Sequence, residues 1–250
     1  PTRLEFGESD GWPGHIVDRY ADHLVLQFLT FGAHVLREEI VAVLDGLLSP
    51  ASILARNDPA VRVLEGLSRE VVPLKGEPPK TISFGEGKVT LTVEPATGQK
   101  TGGFLDQSEN RLRAGALAHG RVLDAFCYTG AFALHVARSA EEVIALDVSA
   151  PALEQGRGQA TQNGIENIQF IETNVFDFLK QEDRAGHTYD TIILDPPAFA
   201  KNKQELEGAL RGYKEINLRA MKILKPGGIL ITCSCSYHLS ETLMDEVLAR

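Results

Sequence analysis

The chain has 250 residues, 43% hydrophobic and 24% charged, an ordinary globular balance with length for one large domain or two smaller ones. A formal charge of −9 argues against binding nucleic acid by bulk electrostatics, though not against a local basic groove. No apolar run approaches the roughly 20 residues that span a bilayer, and three cysteines, two of them at 233 and 235, suit a reducing cytoplasm rather than a disulfide framework.

In chain order, the first part reads as short strands: "GHIVDRY" (14–20), "HLVLQFL" (23–29), "SILARN" (52–57), "REVVPL" (69–74) and "KVTLTVEP" (88–95). Between the second and third lies "HVLREEIVAVLDGLL", where Val35, Leu36, Ile40, Val43, Leu44 and Leu47 recur at helical spacing. Strands around one helix predict a small α+β domain of the strand-strand-helix-strand-strand type over 1–96.

From residue 97 the pattern alternates. Strands are expected at 120–127, 142–149, 167–173, 189–197 and 229–234, and helices at 130–139, 151–164, 175–183 and about 204–224. The strands are almost wholly apolar, which predicts a mostly parallel sheet covered on both faces, an α/β Rossmann-like domain over 97–250. The chain opens at Pro1 and stops at Arg250 inside an expected helix, and it reads as a piece of a longer protein.

In such sheets the ligand lies at the C-terminal strand ends. The first strand ends "DAFCYTG", offering Asp124, Phe126, Cys127, Thr129 and Gly130. This is neither a G-x-G-x-x-G nor a P-loop, so NAD and ATP are disfavoured. The second ends at Asp147 and Val148, an acid placed to take the hydroxyls of a ribose. After the third come Asn174 and Val175, which could meet an adenine amine and ring. Ribose and adenine without a pyrophosphate loop fit S-adenosylmethionine (SAM). Asp is also a common helix cap, so Asp124 or Asp147 alone decides little. The fourth strand ends "DPPAFAK" (195–201), where two proline rings fix the backbone that presents Asp195 and Pro196.

Together, "VLDAFCYTGAFAL" (122–134), "DPPAFAK" and "SCS" (234–236) resemble class I SAM-dependent methyltransferases. More narrowly they resemble the 23S ribosomal RNA cytosine-C5 methyltransferases typified by ribosomal RNA large subunit methyltransferase I. "GQKTGGFLDQSENR" (98–111) and "DGWPGHIVDRY" (10–20) extend the likeness over nearly the whole chain. The resemblance implies SAM as cofactor, large-subunit rRNA as partner, no membrane and no metal, and it leaves the oligomeric state open, a homodimer included. It also implies Gln107 as a cofactor contact. The sequence departs from the family in three places. A PUA RNA-binding domain is absent, the final strand pair would lie beyond Arg250, and Asn174 stands where an acid is usual.

Cytosine C5 is a poor nucleophile, and its methylation needs a thiolate added at C6. The family's "SCS" places that cysteine at Cys235, just past the fifth strand, with Asp195 holding the base. Cys233 reads as a small buried residue within the strand, and Cys127 as packing near the methionine part of SAM. Gln99, Lys100, Arg111 and Arg113 could meet a carboxylate or phosphate, or be ordinary surface charges. His135, His187 and His238 lack the spacing of a metal site. Two alternatives stay open: an rRNA guanine methyltransferase of the same fold, which needs no cysteine, and a non-catalytic RNA-binding module.

Overall fold

The structure is a computed structural model and describes residues 1–200, 203–236 and 239–249. Two compact units are present, Pro1–Ser108 and Glu109–Arg250. The expected change of character at residue 96 precedes this division, and local bonds show what 97–108 belongs to. Buried Arg56 donates to the carbonyls of Pro95 (2.7 Å) and Gly98 (3.1 Å), and the Tyr20 hydroxyl lies 3.1 Å from that of Thr101.

The first unit holds β1 (Thr2–Phe6), β2 (His15–Tyr20), β3 (His23–Phe28), β4 (Ser52–Asn57) and β5 (Glu70–Lys75) in one sheet, ordered as numbered. Every neighbouring pair is antiparallel except β3 and β4, which are parallel. Parallel neighbours need a crossover, supplied here by α1 (Phe31–Val35) and α2 (Arg37–Leu48). The Thr30 side chain caps α1, and the chain breaks at Leu36 before α2 begins. That break shifts the buried face. Ile40, Val41, Leu44 and Leu48 pack on Leu24, Leu26, Phe28 and Ile53. Val35, Leu36, Val43 and Leu47, which share the helical spacing, are exposed. A short helix, α3 (Val61–Leu64), precedes β5, and β6 (Ile82–Glu86) pairs with β7 (Val89–Val93) as a separate hairpin.

In the second unit α4 (Ser108–Leu117) leads into β8 (Gly120–Ala125), α5 (Ala131–Val136), β9 (Ala140–Asp147), α6 (Ala150–Gln162) and β10 (Ile168–Glu172). There follow α7 (Val175–Ala185), β11 (Tyr189–Leu194), α8 (Leu206–Ile223), β12 (Leu224–Thr232) and α9 (Glu241–Leu248). The sheet order is β10-β9-β8-β11-β12, all parallel. The expected α/β class and Rossmann-like parallel sheet are present. Thr191 to Leu194 are all 0% exposed, as strands covered on both faces must be. Leu179 of α7 and Ile216 and Ala220 of α8 pack on Leu123, Ile192 and Leu194.

The chain builds outward from β8 through β9 to β10, then returns to its other side with β11 and β12. The switch point therefore falls between β8 and β11, and it is at the C-terminal strand ends beside such a point that doubly wound sheets bind ligands. Among the described residues, no helix is long and apolar enough to cross a membrane.

Candidate active site

At the switch point, β8 and β11 run in register, Asp124 opposite Ile193 and Ala125 opposite Leu194. The backbone therefore delivers Asp124 and Asp195 to one edge of the sheet, and the Asp195 N–H donates to the Ala125 carbonyl at 3.3 Å. Asp124 is fully buried. Its Oδ2 accepts the Ala133 N–H of α5 at 2.8 Å, while Oδ1 has no hydrogen-bond partner among the described residues. Burial pushes this carboxyl up to about 8; the bond from Ala133 opposes the shift, and Asp195 and Asp147 add to it. Asp124 thus caps a helix and also keeps a buried oxygen unpaired at the switch point.

The loop after β8 turns through three left-handed residues, Phe126 (φ +66°), Tyr128 (φ +50°) and Gly130 (φ +75°). Strain of this kind persists where surrounding bonds over-determine the backbone. Here Cys127 N–H donates to Leu146 O (2.8 Å), Tyr128 N–H to Asp147 Oδ2 (2.8 Å) and Gly130 N–H to Cys127 O (2.8 Å). Only glycine suits position 130, because a Cβ there would also lie 2.7 Å from the Phe170 ring. Cys127 is buried, and burial holds its thiol well above the ordinary value, with Asp124 and Asp147 adding to the shift. A thiol so disfavoured as thiolate is not a nucleophile.

Asp147 ends β9 half-buried, its two oxygens accepting from Tyr128 N and from Ser149 N (2.9 Å). Each oxygen keeps a second lone pair that a hydroxyl could use. Val148 beside it is 67% exposed, an apolar side chain left open at the strand end. After β10, Asn174 caps α7, its Oδ1 accepting from Phe176 N (2.9 Å) and Asp177 N (3.4 Å), and Val175 is buried in the core under the helix. The acceptor expected to meet an adenine amine therefore already serves a cap. Thr129 is half-buried, and its carbonyl accepts from Gln159 Nε2 at 3.4 Å.

On the other side of the switch point, β12 ends at Thr232, so Cys233 lies one residue past the strand and not within it. Its N–H still donates to Leu194 O at 2.8 Å, extending the ladder to β11, and the residue is half-buried. Cys235 is exposed, and its Sγ lies 3.7 Å from the carbonyl oxygen of Pro196. The two motifs "DPP" and "SCS" thus meet side by side at neighbouring strand ends. Pro196 is buried and Pro197 exposed. Lys201 of "DPPAFAK" and His238 lie outside the described residues.

Sequence reasoning missed the residues that pin these motifs. Ser234 Oγ donates to the Tyr213 hydroxyl (2.9 Å), and Ala200 N–H donates to Ser236 Oγ (3.3 Å). The signal was present in the two serines flanking Cys235, but nothing near them in sequence points to Tyr213 on α8.

Gln107, Gln99 and Lys100 belong to the first unit. Lys100 pairs with Asp106 at 2.7 Å and sits over the Phe104 ring. Arg111 is buried in α4, and Arg113 is a surface side chain 4.0 Å from Glu109. His135 Nδ1 lies 2.7 Å from Ala131 O, and His187 Nδ1 lies 3.1 Å from Glu182 Oε1.

Comparison with known proteins shows the family and the fold. Ribosomal RNA large subunit methyltransferase I of Photobacterium profundum is 42% identical over 252 residues, and that of Tolumonas auensis 43% over 253. Each match covers 99% of this chain but 64% of the relative, so the chain spans less than two thirds of those proteins. Among solved structures, SMU.776 complexed with SAH superposes with a TM-score of 0.84 at 24% identity, over 98% of this chain and 64% of that one. A SAM-dependent methyltransferase from Agrobacterium tumefaciens gives 0.72 at 20%, over 94% and 74%. These two likenesses establish the fold. Residues 117–249, which carry every strand end described above, match the family described as "Methyltransferase domain", and the chain belongs to that family.

Proposed function

We propose that the protein is a SAM-dependent RNA cytosine-C5 methyltransferase acting on large-subunit ribosomal RNA, with Cys235 as its nucleophile. One observation carries the reading: the exposed Cys235 thiol stands 3.7 Å from the Pro196 carbonyl, beside the turn that follows β11. The names of the similar proteins support the rRNA substrate. The first unit, centred on residues 1–96, would contact the RNA by local structure rather than by bulk charge.

The residues present suit the cofactor. Asp147 would accept from ribose hydroxyls, Val148 would lie against the base, and Asn174 and Val175 would border its edge. Asp124, Phe126, Cys127, Thr129 and Gly130 would line the methionine end, and the family resemblance carries Gln107 over as a cofactor contact. Two acids at the strand ends, Asp147 and Asp195, make a favourable environment for a sulfonium and an ammonium. When bound, SAM supplies an electrophilic methyl group to an electron-rich carbon.

The protein's own part is to make C5 electron-rich. The target base leaves its stack, since neither C5 nor C6 can be reached within one. The Cys235 thiolate forms a bond to C6, and the C5=C6 π pair moves onto C5. After methylation the C5 proton passes to a base, its electron pair restores C5=C6, and the C6–S bond breaks to return the thiolate. Asp195 would accept from the exocyclic amine and fix the ring, and Pro196 and Pro197 hold the turn that presents it.

The test incubates the protein with unmodified large-subunit rRNA and methyl-labelled SAM, then identifies the labelled nucleoside. Label in 5-methylcytidine that disappears with Cys235→Ala is expected. Label in a guanosine, indifferent to Cys235, would replace this reading with the guanine reaction. SAM binding without transfer to any RNA would leave an RNA-binding module.

A further inference from the structure

The Tyr213 hydroxyl sits between the two serines that flank Cys235. Ser234 Oγ donates to it at 2.9 Å, and on its other side it lies 2.9 Å from Ser236 Oγ. Ser236 N–H donates to Ser234 Oγ at 3.2 Å, closing a small ring of bonds around residue 235. Ser236 Oγ also accepts the Ala200 N–H at 3.3 Å, which ties that ring to the segment following Asp195, Pro196 and Pro197. One phenol thus fastens the chain leaving β11 to the chain leaving β12.

Tyr213 is 0% exposed in α8, its ring 4.7 Å from that of Phe199, with Ala200 and Ala209 around it. A phenylalanine would satisfy that packing equally well. The hydroxyl must be explained by its partners, because a buried phenol O–H that lacks them is costly. Those partners are all backbone or side-chain groups within one residue of Cys235 or at the end of "DPPAFA". Proton counting closes as well: Ser234 gives its proton to Tyr213, and Tyr213 gives its own to Ser236.

We propose that Tyr213 is a positioning residue that holds the Cys235 thiol against the Asp195-Pro196-Pro197 turn through Ser234 and Ser236. The inference rests on Cys235 being the nucleophile, as proposed above. Tyr213 touches no reacting atom. It restricts where the sulfur can be when the base arrives, and a displacement of about 1 Å there costs on the order of 10²-fold in rate.

The experiment compares wild type, Tyr213→Phe, Ser236→Ala and the double variant in single-turnover methyl transfer. The same proteins are treated with iodoacetamide across pH, and Cys235 alkylation is followed by peptide mapping. Tyr213→Phe is expected to lower kcat by about 10- to 100-fold with little change in KM, and to change the pH profile of Cys235 alkylation. The double variant should lose little more than either single one, because the residues act as a unit. Unchanged kcat and alkylation in folded Tyr213→Phe would overturn the proposal. So would a loss of activity matched by a loss of folded protein, or one that adds fully in the double variant. A Cys235→Ala protein that still methylates would instead overturn the nucleophile, while the alkylation profile would still show whether Tyr213 holds the thiol.

Discussion

Cys127 in the loop after β8 and Cys235 in the loop after β12 lie near the same end of one sheet, and the two loops treat them in opposite ways. Cys127 is enclosed by a backbone turned through left-handed Phe126, Tyr128 and Gly130, and burial keeps its thiol protonated. Cys235 is exposed on a loop held from below by serine hydroxyls and a buried tyrosine. The first loop is fixed by strained backbone and buries its side chains; the second is fixed by side chains and presents its sulfur. Residue type therefore says little about reactivity until burial is known, and the rigid strained loop suits binding while the pinned open one suits covalent chemistry.

The comparison can be broken most forcefully at the nucleophile. Cys235→Ala is expected to lower methyl transfer by at least about 10³-fold, measured as single-turnover rate with saturating RNA. Alkylation separates the two thiols without relying on activity. In the native protein iodoacetamide should label Cys235, and Cys127 should react about 10²-fold more slowly or less until denaturant is added. Equal labelling would remove the contrast in burial.

The strained loop is tested through Gly130. Gly130→Ala must hold alanine at φ +75° with its Cβ 2.7 Å from the Phe170 ring, and a loss of about 1–3 kcal/mol in urea unfolding is expected. Asp124 gives an effect with a defined sign. Its carboxyl sits at about 8 in the fold against an ordinary 3.8, so between these values the native state binds a proton that the unfolded chain does not. Its contribution therefore falls as pH rises from about 4 to about 8. Thermal denaturation of Asp124→Asn should show a shallower decline over that window than wild type. The smallest change is expected at the opposite end of β11, where Lys225 pairs with Asp190 at 2.8 Å on the surface. Lys225→Ala should alter stability by about 0.5 kcal/mol or less.

Much of the second unit was legible because nearly continuous apolar runs ending in acids can be little else than parallel strands with their ligand ends marked. Asp124, Asp147 and Asp195 were placed at strand ends in this way, whereas Cys235 came from the resemblance of "SCS" to the family's motif. The start of β12 was missed because Pro226-Gly227-Gly228 reads as a turn. In the fold it is absorbed by a register irregularity between Tyr189 and Thr191 of β11. Helix α4 was missed because its sequence is polar and buries only Arg111 and Ala114. The expected helix between the second and third strands is two helices parted at Leu36, a break that a continuous helical period cannot show. Tyr213 was illegible for a different reason. At helical spacing a tyrosine reads as core, and only the fold reveals that its hydroxyl ends beside serines from another strand.

The most direct test of the covalent account uses an rRNA fragment in which cytidines are replaced by 5-fluorocytidine. Fluorine at C5 cannot depart as a proton does, so an adduct at C6 persists after methylation. With SAM present, a denaturation-resistant protein–RNA complex whose cross-linked peptide contains Cys235 is the predicted result. Turnover of unmodified RNA with no such complex, or a complex mapped to Cys233, would contradict the assignment of Cys235.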